Sequence, residues 1–333
     1  NFLKINFAVK NNYLNYNKKM IISASRRTDI PSYYSDWFFN RIKEKYVYVR
    51  NPINIRQVSK INLSAEFVDC IVFWSKNPES IIDKLNLLKN YKYYFQFTLT
   101  SYGNDIEKNI PSKREKIFDT FKKLSDKIGD KKVIWRYDPI IITDKYTLDY
   151  HKKYFEKIAK TLSGYTEKCI ISFMDIYSKV KRNMKEIKFY DINKDNESII
   201  ELSKHLSEVG KTYNIKIETC AEEIELKDFG IGHAKCIDDK LISEIIGYDI
   251  NAKKDKNQRL PCGCIESFDI GAYNTCLSEC VYCYANYSES KIKETTKNYD
   301  KNSPILCDSI LNSDKIIEKK PYILKKERNI FDL

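Results

Sequence analysis

Three cysteines fall close together in "CLSECVYCYAN" (residues 276–286), as Cys276, Cys280 and Cys283, with Tyr282 directly before the last. Three thiolates in so short a loop can hold three irons of a 4Fe–4S cluster and leave the fourth iron open to another ligand. A fourth thiolate would close that position. A zinc loop is the competing use, although zinc sites usually pair two C-x2-C elements. Four more cysteines precede the loop: Cys220, Cys236, Cys262 and Cys264. Four is the count of a closed tetrathiolate site, holding a second iron–sulfur cluster or zinc. Four independent free thiols are the alternative, because their spacing follows no standard metal motif. Cys70 and Cys169 open apolar runs and read as small buried hydrophobes, and Cys307 stands alone in a polar stretch.

Chemistry of this kind needs a scaffold, and from Met20 onward the chain alternates short apolar or β-branched runs with longer helical patterns. That is the rhythm of βα units and a parallel sheet. Strands are expected at 20–25, 69–74, 93–100, 132–137, 169–175, 215–220 and 267–273, and helices near 33–44, 78–90, 112–128, 147–162, 195–213, 238–247 and 284–292. The segment 47–63 reads as an inserted hairpin. The α/β class expected is a TIM-like parallel (β/α) barrel, closed or nearly closed. A doubly wound open sheet fits the pattern nearly as well, but its glycine-rich dinucleotide fingerprint is missing: the nine glycines are scattered and form no G-x-G-x-x-G. Residues 1–19 read as an extension ahead of Met20, with an edge strand or covering arm as the alternative. Residues 20–292 read as the catalytic barrel, with its cysteine-rich end at 220–283, and residues 293–333 as a polar tail.

In a parallel α/β barrel the chemistry sits at the carboxyl ends of the strands. The first strand ends in "SRRTD", with Arg26, Arg27 and Asp29, and the second in "WSKNP", with Lys76 and Asn77. In "YYFQFTLT", Gln96, Thr98 and Thr100 share one face while Phe95, Phe97 and Leu99 share the other, because side chains alternate along a strand. The next strand ends in Arg136 and Asp138, the one after in Asp175, and the sixth brings Glu218, Cys220 and Glu222. Individually, pairs such as Arg136–Asp138 read equally well as ion pairs capping strand ends. Together, Arg27, Asp29, Gln96, Arg136, Asp138 and Glu218 are the candidate catalytic set around a small polar or anionic substrate.

Other classes find less support. His151, His205 and His233 lack metal-ligand spacing; the first two read as surface or satisfied core groups, and His233 as a neighbour of Cys236. No Ser-His-Asp arrangement or P-loop is present. The net charge of +12 admits an anionic partner, nucleic acid included, but the lysines are spread along the whole length without a basic stripe. With 42% hydrophobic and 31% charged residues the composition is globular, and no apolar run reaches the ~20 residues of a membrane span. Ten cysteines without a secretory leader suggest reduced thiols or metal ligands in a cytoplasmic protein.

The pattern Cys276, Cys280, Tyr282, Cys283 resembles the C-x3-C-x-aromatic-C signature of radical S-adenosylmethionine enzymes. That resemblance implies a 4Fe–4S cluster on the three cysteines, with Tyr282 and Asn274 beside the cofactors. It also implies S-adenosylmethionine on the free iron, a 5′-deoxyadenosyl radical, and a flavodoxin or ferredoxin as reductant. The longer strings "MIISASRRTDIP", "VIWRYDPI", "ETCAE" and "DIGAYNTC…CVYCYAN" resemble the family called domain of unknown function 1848, from Met20 to about residue 290. In radical-SAM barrels the motif follows the first strand, whereas here it follows the last. The expectation is therefore a circularly permuted barrel, in which "SFDIGAY" is the cluster-bearing strand and "MIISAS" its neighbour in space. A metal-stabilised binding or electron-transfer protein without SAM cleavage is the alternative function, and nucleic-acid repair or modification a variant of the enzymatic one.

Overall fold

The computed structural model describes residues 18–325. Residues 1–17, most of the expected extension, lie outside the described residues. Lys18 and Lys19 begin the first strand.

The strands follow in chain order. β1 is Lys18–Ala24, β2 Tyr46–Arg50, β3 Gln57–Asn62, β4 Val68–Ser75 and β5 Tyr93–Thr98. β6 is Val133–Ile140, β7 Ile142–Thr143, β8 Lys168–Phe173, β9 Phe189–Tyr190 and β10 Lys216–Thr219. The remainder are short: β11 is Gly232–His233, β12 Ile250–Asn251, β13 Phe268–Asp269, β14 Lys315–Glu318 and β15 Ile323–Lys325. Eight of them form one parallel sheet in the order β11-β10-β8-β6-β5-β4-β1-β13. Each strand up to β11 pairs with its predecessor in the parallel series. β13 then returns to the opposite end and pairs with β1, Ile22 against Phe268. No ladder joins β11 to β13 among the described residues.

Side-chain alternation produces two apolar layers. Met20, Ile22, Ile71, Phe73, Phe95, Phe97, Val133 and Trp135 face the helices in one core. There Phe97 meets Phe121 of helix Phe118–Ile128 at 4.7 Å, and Trp135 stacks on Phe155 of helix Leu148–Leu162 at 4.7 Å. Ile21, Cys70, Val72, Tyr94, Ile134 and Ile170 line the other face, packed against Cys236, Ile242, Cys262 and Cys264. Cys70 and Cys169 are fully buried strand residues, as their apolar setting in the sequence suggested.

The hairpin expected at 47–63 is β2 and β3. Residues read as a polar tail do more than cover the surface: β14 extends that hairpin in parallel with β3, and β15 lies antiparallel to both β1 and β12. Open strand edges supply the backbone partners that this polar sequence uses.

Candidate active site

All eight strands point the same way, so their carboxyl ends share one rim, and the cysteine loop lies on it. Its approach is fixed by Asp269 of β13, which accepts hydrogen bonds from Ser23 Oγ (2.8 Å), Ser25 Oγ (2.6 Å) and the Arg26 N–H (2.8 Å). The strand that leads into the cysteines is thereby fastened to the end of β1. At Gly271 an added Cβ would stand 2.1 Å from Ser25 Oγ, so only glycine lets the two segments pass.

Hydrogen bonds then pin the loop. Tyr34 OH donates to the Thr275 carbonyl (2.5 Å), Asn109 Nδ2 to the Leu277 carbonyl (2.9 Å) and Asn286 Nδ2 to the Cys276 carbonyl (2.9 Å). The Val281 N–H donates to the Ile106 carbonyl (3.0 Å). Asn274, expected beside a cofactor, instead shapes this loop. It takes a left-handed φ of 59°, which asparagine tolerates, and its Oδ1 accepts the Tyr287 N–H at 2.6 Å.

Beneath the loop is a buried charge cluster. Glu107, 1% exposed, accepts from Lys76 Nζ (2.7 Å), Tyr282 OH (2.6 Å), Thr100 Oγ1 (2.9 Å) and Lys113. Lys76 Nζ also donates to Tyr282 OH at 2.7 Å. Burial alone would raise the Glu107 carboxyl, but the two ammonium groups override it and hold the pKa at about 2. Tyr282 thus acts as a strut between the loop and the end of β4. Burial pushes the Cys276 thiol up to about 12 and those of Cys280 and Cys283 upward as well. Among the described residues, no group of three or more His, Cys, Asp or Glu side chains is arranged to hold a single metal ion.

Deeper in, Arg26 and Arg136 lie over the Trp74 ring, at 5.3 and 5.2 Å from its centroid. Arg136 pairs with Asp138, which also accepts from Ser172. Burial would raise the Asp138 carboxyl, yet the Arg136 guanidinium keeps it below the usual carboxylate range. Arg26 Nη2, Trp74 Nε1 and Asn77 Oδ1 are buried and have no hydrogen-bond partner among the described residues. Orphaned polar groups of this kind are costly unless something else satisfies them.

Other expected site residues turn elsewhere. Asp29 caps the helix Ile30–Tyr33 through the Ser32 N–H (3.0 Å) and holds the Lys76 N–H (2.8 Å), so it braces the rim. Arg27 stays at the rim, 3.8 Å from Asp269 and over Tyr273. Gln96 spans Arg136 (3.3 Å) and the Cys236 carbonyl (2.8 Å). Glu218 requires correction. It pairs with Lys216 (2.7 Å) and with Lys168 (3.1 Å), which begins β8, so its carboxylate is drawn toward the amino ends of the strands. Glu222 accepts the Phe173 N–H at 3.0 Å, and burial pushes its carboxyl up to about 7. His151 is a satisfied core group, and His233 pairs with Glu225 (3.0 Å) and Thr219 (3.2 Å) rather than with Cys236.

Glu107, Trp74 and Asp269 are the site residues that sequence reasoning missed. Glu107 lies in an aperiodic loop and Trp74 inside an apolar run. Asp269 offered one cue, a carboxylate within a short strand-like segment.

Comparison with known proteins is consistent with the length of the match but silent on chemistry. The model of the family described as Domain of unknown function (DUF1848) matches residues 21–285. No curated protein matches the chain. A crystal structure provisionally assigned as an alpha-L-fucosidase, from Bacteroides thetaiotaomicron, is similar at 9% identity and TM-score 0.27, over 80% of this chain and 90% of that one. So low a score supports no argument. No helix among the described residues is long and apolar enough to cross a membrane.

Proposed function

The chain belongs to the DUF1848 family, and from that premise we propose that it is an iron–sulfur enzyme of the radical S-adenosylmethionine type, acting on a small polar or anionic substrate. One observation carries this reading. The Cys276–Cys283 loop sits on the carboxyl-end rim beside Lys76 and Glu107, where parallel α/β sheets carry their chemistry.

The donor set fits a cubane. A 4Fe–4S cluster takes its thiolates on separate irons and so needs them farther apart than one ion does. Cys280, buried, and Cys276 and Cys283, half-buried, stand in one short loop, where each could take a separate iron. When bound, such a cluster supplies the electron that cleaves S-adenosylmethionine to methionine and a 5′-deoxyadenosyl radical. The chain's own residues hold, orient and shield. Lys76 and Tyr282 fix the loop against Glu107. Arg27, at the rim over Tyr273, offers positive charge to an anionic group. Glu222 can hold or release a proton near neutral pH, because burial raises it to about 7.

In this proposal β11 and β13 meet as the seam of a nearly closed barrel, and β13 is the cluster-bearing strand of a circular permutation. The enzyme works in the cytoplasm with a flavodoxin or ferredoxin as electron donor. Nucleic acid is a possible substrate within this class, and its binding would weaken as salt rises.

The test is anaerobic reconstitution with iron and sulfide, followed by dithionite and S-adenosylmethionine. The expected result is about four irons for this loop and release of 5′-deoxyadenosine. Cys280→Ala should lose the visible iron–sulfur absorbance. A fully loaded protein that forms no 5′-deoxyadenosine with several reductants would instead be the electron-transfer or binding protein.

A further inference from the structure

Four thiols outside the cluster loop converge on the inner face of the sheet. Cys220 Sγ and Cys236 Sγ are 3.3 Å apart. Cys236, Cys262 and Cys264 share one buried cluster, against which Cys220 packs. Three of the four are buried, and the fourth, Cys220, is half-buried at the end of β10.

We propose that Cys220, Cys236, Cys262 and Cys264 form a second, independent metal centre: a tetrathiolate site for one divalent ion of the zinc class, clamping the two ends of the parallel sheet together. Sulfurs sharing a tetrahedral zinc at ~2.3 Å stand about 3.8 Å apart. The Cys220–Cys236 separation is close to that spacing and too short for thiolates on separate irons of a cubane. The four sulfurs do not yet surround one point, so binding requires thiol side chains to turn about their Cα–Cβ bonds. The four thiols give up their protons to solvent as the ion binds.

The surroundings suit a charged thiolate centre. A divalent ion with four thiolates carries two net negative charges, and two buried guanidiniums face the group. Arg136 Nη1 donates to Cys236 Sγ at 2.8 Å. Arg26 reaches toward Asp255, 3.8 Å away, whose N–H donates to the Cys264 carbonyl, and its Nη2 has no hydrogen-bond partner among the described residues. The Ile237 N–H donates to Cys264 Sγ at 3.4 Å. Tyr94 OH (2.6 Å) and Gln96 Nε2 (2.8 Å) both hold the Cys236 carbonyl, the kind of outer support that fixes metal ligands.

Position supplies the purpose. Cys220 and Cys236 flank β11, at one end of the sheet, whereas Cys262 and Cys264 precede β13, at the other. The ion would tie together the two ends that no ladder joins. Between the last two thiols, Gly263 lies against the β11 side, where an added Cβ would come within 3.1 Å of the Lys235 side chain.

The experiment uses Co²⁺ as probe, added without oxygen to the reduced full-length chain in which Cys276, Cys280 and Cys283 are all Ser, so that the cluster loop cannot contribute. The expected result is about one cobalt per chain, with the sulfur-to-metal charge-transfer and visible d–d bands of a tetrahedral tetrathiolate. Cys264→Ser in that background should weaken binding at least about tenfold and blue-shift the d–d bands. In case that variant misfolds, alkylation mapping of the otherwise wild-type chain with and without Zn²⁺ reads the same site. Cys220, Cys236, Cys262 and Cys264 should be protected by zinc, while Cys276, Cys280 and Cys283 should not all be. Equal alkylation with and without zinc, absence of the cobalt bands, or a Cys220–Cys236 disulfide in anaerobically purified protein would each overturn the proposal. None of these outcomes bears on SAM cleavage.

Discussion

His151 is a buried imidazole with both nitrogens engaged, Nδ1 with Tyr137 OH at 2.8 Å and Nε2 with the Ile141 carbonyl at 2.9 Å. Burial pushes its pKa from 6.5 down to about 4. The unfolded chain therefore takes up this proton first, and stability present above pH 6.5 is lost as pH falls toward 4. The full loss is about 3 kcal/mol. His151→Gln should flatten this part of the acid limb, which urea unfolding at pH 7, 5.5 and 4 would show; an unchanged limb would argue against a neutral buried ring. At this scale the sequence was partly legible. Cysteine spacing and the Arg136–Asp138 alternation mark residues whose partners are local. Glu107 became visible only through the fold, because its partners Lys76 and Tyr282 come from distant segments. Glu218 misled for the converse reason: its place in a strand was right, but the lysines that capture it lie toward the wrong end.

The helix Asn196–Thr212 shows where local propensity and packing disagree. Replacing glycine by alanine inside a helix ordinarily stabilises it by up to about 1 kcal/mol. At Gly210, however, an added Cβ would stand 2.6 Å from both the Ile215 carbonyl and Ile217 Cγ1. Gly210→Ala should therefore destabilise the protein, by about 1–3 kcal/mol, through overpacking of the helix against β10. A rise in thermal midpoint would refute that packing. The longer strands and helices were legible because their apolar periods repeat often enough to declare a face. The two-residue strand β11 was not, since its pairing is decided by backbone path. The segment "SFDIGAY" was expected as strand over 267–273, but only Phe268–Asp269 pairs before the chain bends past Ser25.

Across the whole molecule the parallel sheet has a firm middle and short ends. β5 and β6 are paired on both sides, whereas β11 and β13 each contribute two residues. Amide exchange should be slowest in β5 and β6 and fastest at β11 and β13, because short elements with few partners open locally at low cost. Added Zn²⁺ should slow exchange at the two ends selectively. Uniform protection across all eight strands would contradict this hierarchy. The α/β class and the order of most strands could be read from the alternating pattern. The return of β13 to β1 was expected too, from the logic of a nearly closed barrel that sets its last strand beside its first rather than from any local signal.

That return has a consequence for the history of each molecule. The Ser23–Asp269 hydrogen bond joins residues 246 positions apart. A ribosome makes β1 before β13 and must synthesise six further strands of the parallel sheet in between. Through that interval one edge of β1 has no parallel partner, and the three rim thiols have not been made. On the proposed function, a nascent chain carrying Arg26, Lys76 and Glu107 still lacks every cysteine of the cluster loop, so loading would have to follow the synthesis of residues 276–283.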